Sequence, residues 1–295
     1  MPGEFDLIDW IRRQPAGGSM VLVPPGDDLA VIKWPADLLL VGVDQALDGV
    51  HFDSAVHSPT AIGRKVMNRN LSDCAAMACL PVAAVATVAM PRGTALSYAR
   101  KLYMGMREAA GAFSCAIVGG DTATWDGRLA LTVSILGRAG GISPIRRSGA
   151  RAGDGIYVSG PLGGSLLGRH MTFTPRIELA RELGASGRVT AMIDLSDGLS
   201  RDLGHICRES GVGAQIDARL IPIHKDALRL AQQTGRRALD HALHDGEDYE
   251  LLFAARGAEF PGCTRIGRFT RQRSIHLIDG RQRRTLVPRG WEHRF

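Results

Sequence analysis

Cysteine pairing is the first thing this chain lacks. Its five cysteines (74, 79, 115, 207 and 263) are odd in number and form no C-x-x-C pair, which argues against a disulfide framework and against a zinc site. Lysine is scarce as well. The net charge of +6 rests on 32 arginines against 4 lysines scattered along the chain, dense only between Arg265 and Arg294. Aromatic residues make up 5% of the chain and do not interleave that stretch, so a solvated basic surface is expected there and a nucleic-acid partner is not. Long apolar runs are missing too. Met1 to Ile11 has no basic start followed by an apolar stretch, so neither a signal peptide nor a membrane span is indicated and a cytoplasmic location is expected. Neither a G-x-x-x-x-G-K-[ST] loop nor a protein-kinase signature set occurs, which removes two usual routes to nucleotide binding.

What is present describes an ordinary globular protein of 295 residues, 45% apolar and 22% charged, long enough for about two domains. After a short amphipathic N-terminal helix, a Pro-Pro-Gly turn presents Asp27 and Asp28 just before a strand. Leu38 to Asp44 reads as a strand ending in an acid. Ser58 to Met77 reads as a helix with Ser58-Pro59 at its start, and it carries Asn70 and Asp73 on one face. Val82 to Met90 is a strand, Thr94 to Ala112 a helix, and Cys115 to Thr122 a strand that runs into Gly119, Gly120 and Asp121. Arg128 to Gly137 adds another strand. The polar, turn-rich segment from Ile145 to Asp154 places a boundary between an N-terminal domain (1–145) and a C-terminal domain (146–295). Strands and helices alternate in both halves, so two mixed α/β domains are expected.

One stretch of the second half concentrates acids. Met192 and Ile193 read as a strand end, and Leu199, Leu203 and Ile206 recur at helical spacing. Asp194 and Asp197 therefore lie at a strand's carboxyl end beside a helix N-terminus. Asp197 serves equally well as that helix's cap. Farther on, Glu247 and Asp248 lie at the mouth of a loop that feeds a strand. Asp27, Asp28, Asp44, Asp73, Asp121, Asp194 and Asp197 all fall at expected strand ends, loops or helix starts. If they converge, each close pair repels by about 4 kcal/mol at roughly 4 Å and an effective dielectric near 20, which demands cations. Oxygen-only ligation selects Mg²⁺ over zinc or copper, and partly protein-held Mg²⁺ is what ATP requires.

The ordered motifs carry a resemblance. Gly26-Asp-Asp28, Asp48-Gly-Val-His-Phe52, Asn70-Leu-Ser-Asp73, Gly119-Gly-Asp-Thr122, Arg147-Ser-Gly-Ala150, Ile193-Asp-Leu-Ser-Asp-Gly-Leu199 and Gly246-Glu-Asp-Tyr-Glu-Leu251 resemble, in that order, the thiamine-monophosphate kinase family. That family lies within the aminoimidazole ribonucleotide synthetase-like superfamily. The match runs from Gly3-Glu-Phe5 to Gly290-Trp-Glu-His293. It implies a two-domain α/β fold, a homodimer formed through the N-terminal domains, and phosphoryl transfer from ATP to thiamine monophosphate.

By the same resemblance, Asp28, Asp44, Asp73, Asp121, Asp194 and Asp197 match magnesium ligands, with Asp27 as a helper. Asp73, Asp121 and Asp197 are the catalytic candidates. Gly120, Asp121, Arg147 and Ser196 match ATP contacts, and His51 and Glu247 match thiamine monophosphate contacts. Four departures stand out. Gly42-Val43 replaces a hydroxyl pair before Asp44, leaving the Val43 carbonyl as the possible metal ligand there. Asp245 replaces a glycine and adds charge beside the substrate loop. The segment from Gly160 to Pro175 is short. Pro288 stands where an aromatic residue would stack on the substrate, leaving Trp291 as the nearest candidate. These departures keep two other expectations open: a non-catalytic nucleotide-binding relative and a sister ATP-dependent synthetase.

Overall fold

The computed structural model describes residues 21–23, 27–257 and 259–292. The expected N-terminal helix, Gly3 to Phe5, Gly26 and His293 lie outside the described residues. The first sheet is built from β1 (Val21–Val23), β2 (Ala30–Trp34), β3 (Asp37–Leu47), β4 (Leu80–Pro91), β5 (Ala116–Trp125) and β6 (Ala130–Arg138), in the order β1-β2-β3-β6-β4-β5. Only β4 and β5 pair in parallel. Helices α1 (Pro59–Ala76) and α2 (Leu96–Gly111) pack against each other beside it. The Ser58 hydroxyl caps α1 by accepting from the Ala61 N–H at 3.3 Å, with Pro59 at the first helical position. Two glycines let the helices touch. A Cβ on Gly63 would stand 2.0 Å from the Leu102 carbonyl oxygen, and one on Gly105 would stand 2.0 Å from that of Thr60.

The second sheet holds β7 (Gly155–Val158), β8 (Val189–Asp194), β9 (Gly213–Asp217), β10 (Leu251–Ala255), β11 (Thr264–Thr270), β12 (Ile275–Asp279) and β13 (Gln282–Thr285), ordered β13-β12-β9-β11-β7-β10-β8. Here only β9 and β12 are parallel. Helices α3 (Ile177–Ala185), α4 (Leu199–Ser210), α5 (Lys225–Thr234) and α6 (Ala238–His244) complete this half.

Alternation along the central strands assigns each face to a different core. Tyr157, Met192, Leu251, Phe253 and Ala255 join the core that holds α1 and the first sheet. Ile156, Val158, Ala191, Ile193, Leu252 and Ala254 join a second core with Leu199, Leu203 and Ile206 of α4. Each large apolar side chain so buried contributes about 1.5–3 kcal/mol. Because the first core spans both sheets, α1 lies against β8 as well as β3, and this juxtaposition places Asp73 beside Asp194.

Two strands run farther than their sequence pattern suggests. β3 continues past Asp44 to Leu47, since Gln45, Ala46 and Leu47 keep pairing with Thr132, Leu131 and Ala130. β5 likewise runs through Gly119, Gly120 and Asp121 to Trp125, paired with β4. Asp44 and Asp121 are thus strand residues and not strand ends. Among the described residues, no helix is long and apolar enough to cross a membrane.

Candidate active site

A cavity of about 690 Å³ opens between the halves of the chain. Its walls include Asp27, Asp44, His51, Arg147, Ser196, Asp197, Glu247 and Trp291, eight residues that the sequence singles out. Three more acids meet beside it. Carboxylate oxygens of Asp28, Asp73 and Asp194 lie within 4.8 Å of one another, although they come from the turn before β2, from α1 and from the end of β8. Burial pushes the Asp73 carboxyl well above the usual carboxylate range, and Asp194, Asp44 and Asp28 push it farther. Asp194 rises to about 7, through burial first and then Asp28, while the Ser72 hydroxyl donates to it at 2.5 Å and opposes the rise. Asp27 rises to about 6, again from burial and then from Asp28. A set of buried oxygens this close suits a hard divalent cation.

Arg147 balances part of this charge. Its Nε and Nη2 donate to Asp28 Oδ2 and Oδ1, each at 3.0 Å, and its backbone N–H donates to Asp27. Arg69, one turn before Asp73 on α1, grips Asp44 instead. Nη2 donates to Oδ1 at 3.0 Å, and Nε stands 2.7 Å from Oδ2. Asp44 is close enough to act on Asp73, yet its carboxylate lies outside the convergent trio.

The loops bearing Asp194-Leu-Ser-Asp197 and Gly246-Glu-Asp-Tyr249 are zipped together by their backbones. The N–H groups of Glu247, Asp248 and Tyr249 donate to the carbonyls of Ser196, Leu195 and Leu195. Glu247 and Tyr249 adopt left-handed φ of 55° and 52°, a conformation that non-glycine residues hold only under constraint. At the start of α4, Asp202 accepts from the N–H groups of Asp197 and Gly198. Asp202 therefore satisfies the N–H groups at the start of α4, where Gly198 stands at the cap position. Oxygens of Asp197 and Asp202 and a ring nitrogen of His205 lie within 4.8 Å of one another.

On the opposite wall, fully buried Lys65 ties the halves together. Its Nζ donates to the His51 carbonyl at 2.5 Å, to Glu247, and meets His170 Nδ1 at 2.7 Å. The Tyr249 hydroxyl donates to the other Glu247 oxygen at 2.9 Å. Burial alone would raise Glu247, but the His170 hydrogen bond and the charges of Lys65 and Arg69 outweigh it and hold the carboxyl down to about 2. His51 accepts through Nδ1 from the Leu47 N–H at 3.0 Å.

Some expected site residues are placed elsewhere. Gly120 and Asp121 line a separate groove of about 300 Å³ with Thr87, Leu102 and Met106, because β5 is the sheet's edge. The Val43 side chain is 64% exposed on the other face of β3 from Asp44, while the carbonyl, the expected ligand atom, lies in the plane of the sheet. Asp245, expected to add negative charge beside the substrate loop, does line the main cavity and is met by His241 at 2.7 Å and Arg236 at 3.6 Å. The short segment after Gly160 folds into two 3₁₀ turns, 165–167 and 169–171, the second of which delivers His170.

Sequence reasoning missed Lys65, Arg69, His170, Asp202, His205 and Tyr249. A signal existed for two of them. Lys65, Arg69 and Asp73 recur every four residues and so share one face of α1.

Known proteins resemble this chain in sequence and in fold. Residues 26–139 match the N-terminal domain, and residues 129–279 the C-terminal domain, of AIR synthase related proteins. A thiamine-monophosphate kinase of Rhodopirellula baltica is 42% identical over 258 residues, 85% of this chain and 81% of that protein. One of Aquifex aeolicus is 31% identical over 314 residues, 99% of this chain and 98% of that protein. The solved structure described as AaThiL complexed with AMPPCP and TMP superposes with a TM-score of 0.86 at 29% identity, covering 99% of this chain and 97% of that one. The chain belongs to the thiamine-monophosphate kinase family of AIR synthase related proteins.

Proposed function

We propose that this chain transfers the terminal phosphoryl group of ATP to thiamine monophosphate, giving thiamine diphosphate and ADP by direct in-line displacement. The carrying observation is the convergence of Asp28, Asp73 and Asp194, three acids remote in sequence, beside one large cavity. The residues fit Mg²⁺: their oxygens are close-set, and the raised proton affinities of Asp73 and Asp194 mark a site short of positive charge. Asp28, Asp73 and Asp194 would hold it, with Asp27 and Asp197 beside them. Mg²⁺ bound there screens the charge of two phosphorylated substrates and aligns their approach.

The accepting phosphate monoester, with a second pKa of about 6, is largely dianionic at neutral pH, so no general base is needed. Ser196, at the turn before α4, and Arg147 face the nucleotide end of the cavity. His51, Glu247 and Trp291 form the wall assigned to thiamine monophosphate. Glu247 already has partners on both oxygens, so it orders that wall as well as facing the substrate.

In this reading residues 1–145 supply most of the acids, and residues 146–295 close the site. Gly120 and Asp121 join the reaction only through an assembly. The exposed β5 edge and its apolar groove suit pairing with a second copy, which supports a homodimer. The test is to incubate the purified protein with Mg-ATP and thiamine monophosphate and identify both products. Thiamine diphosphate with ADP is expected. Release of AMP would replace this reading with that of a sister synthetase, and tight Mg-ATP binding without turnover with that of a non-catalytic relative.

A further inference from the structure

We infer that Arg69 supplies at Asp44 the positive charge that a metal ion would otherwise bring, and that its remaining N–H groups take a phosphoryl oxygen of the substrate. The inference rests on the reading of the cavity as a phosphoryl-transfer site. Arg69 approaches Asp44 side-on, with contacts of 2.7 and 3.0 Å, and both side chains are largely buried, 13% and 27% exposed. A guanidinium so placed occupies the acid's two oxygens.

With Arg69 on both of its oxygens, Asp44 has none left for a metal ion, and the residues before it on β3 add no side-chain ligand. Gly42 has no side chain, and a Cβ added there would meet Leu29 Cδ2 at 2.2 Å. Val43 offers only its carbonyl. The acids that do share a close oxygen set, Asp28, Asp73 and Asp194, leave Asp44 out.

The guanidinium itself is incompletely used. The two N–H groups of its Nη1 are buried with no acceptor. Buried donors in native proteins are paired almost without exception, so these mark the place of an acceptor from outside the chain. Arg69 lines the cavity together with Glu247 and Tyr249. One turn earlier, Lys65 has given its charge to Glu247, His170 and the His51 carbonyl. Arg147 is held in the fork of Asp28. Arg69 is thus the cation on this wall with donors to spare, and a planar guanidinium suits phosphoryl oxygens.

The experiment counts ions and measures binding, both without turnover. Mn²⁺ bound per full-length chain is determined by electron paramagnetic resonance with a non-hydrolysable ATP analogue, for wild type, Asp44→Asn and Arg69→Met. Thiamine monophosphate binding is measured by calorimetry. The expected result is an unchanged ion count in Asp44→Asn, one extra ion in Arg69→Met, and about 10- to 100-fold weaker thiamine monophosphate binding in Arg69→Met. Loss of one ion in Asp44→Asn overturns the inference, as does undiminished substrate binding in a folded Arg69→Met. A wild-type protein that binds no thiamine monophosphate refutes the kinase reading instead, and the ion count still decides whether Arg69 replaces a metal ion.

Discussion

Replacing Asp73 with asparagine separates stability from function and moves them in opposite directions. With ligand oxygens of Asp28, Asp73 and Asp194 within 4.8 Å, two unit charges at that limit repel by about 3.5 kcal/mol at an effective dielectric near 20. Three such pairs approach about 10 kcal/mol, the scale of a domain's entire stability. The metal-free protein escapes most of this by keeping protons, as the raised carboxyls of Asp73 and Asp194 indicate. Asparagine keeps the shape and removes two of the three repulsions. Near pH 8, where Asp194 has lost its proton, the variant should unfold a few degrees higher than wild type without metal, a gain of roughly 1–3 kcal/mol. In millimolar MgCl₂ the order should reverse, because wild type gains ligand-linked stability that the variant cannot. Turnover should fall by on the order of 10²-fold or more. Thermal unfolding with and without MgCl₂, beside a coupled ADP assay, reads all three. A variant that is destabilised without metal yet keeps the full Mg²⁺ shift would refute the reasoning.

Other outcomes follow from the same geometry. Asp27 and Asp194 bind protons more tightly folded than unfolded, with carboxyls raised to about 6 and about 7. Their contribution is therefore fully present below about pH 4 and is lost as pH rises through 6 and 7. Metal-free melting temperature should fall between pH 5 and pH 8 and recover with Mg²⁺; a rise over that interval would contradict the assigned burial. Lys65→Met removes the buried cation paired with Glu247 and should cost about 3–5 kcal/mol in urea unfolding, and a loss under about 1 kcal/mol would mean that the Lys65 contacts contribute little. Val118→Glu, on the exposed β5 edge, should convert the proposed dimer to a monomer in light scattering and lower activity by displacing Asp121. A variant that remains dimeric would move the interface elsewhere.

Much of the site was legible because its acids sit in short motifs whose local structure is dictated nearby. Ser58-Pro59 announces α1, and Leu199, Leu203 and Ile206 announce α4, so Asp73 and Asp194 are placed at definite points on definite elements. Convergence of these elements was not legible from periodicity. It depends on β8 and β10 burying both faces, with Met192 and Phe253 turned toward α1 and Ile193 and Leu252 turned away. Strand lengths were misread at Asp44 and Asp121 because pairing with β6 and β4 continues through residues of low strand preference. His170 was invisible for another reason: a 3₁₀ turn in a glycine-rich stretch carries no periodic signal. Asp202 was overlooked because Asp197 offered itself as the nearer cap.

The account stands on the three acids acting together as a cation site within reach of both phosphorylated substrates. Anomalous diffraction from crystals grown with Mn²⁺, a non-hydrolysable ATP analogue and thiamine monophosphate tests this most directly. Manganese peaks bounded by Asp28, Asp73 and Asp194 and touching phosphate oxygens are the predicted result. Nucleotide bound in the cavity with no manganese at those three acids would contradict it.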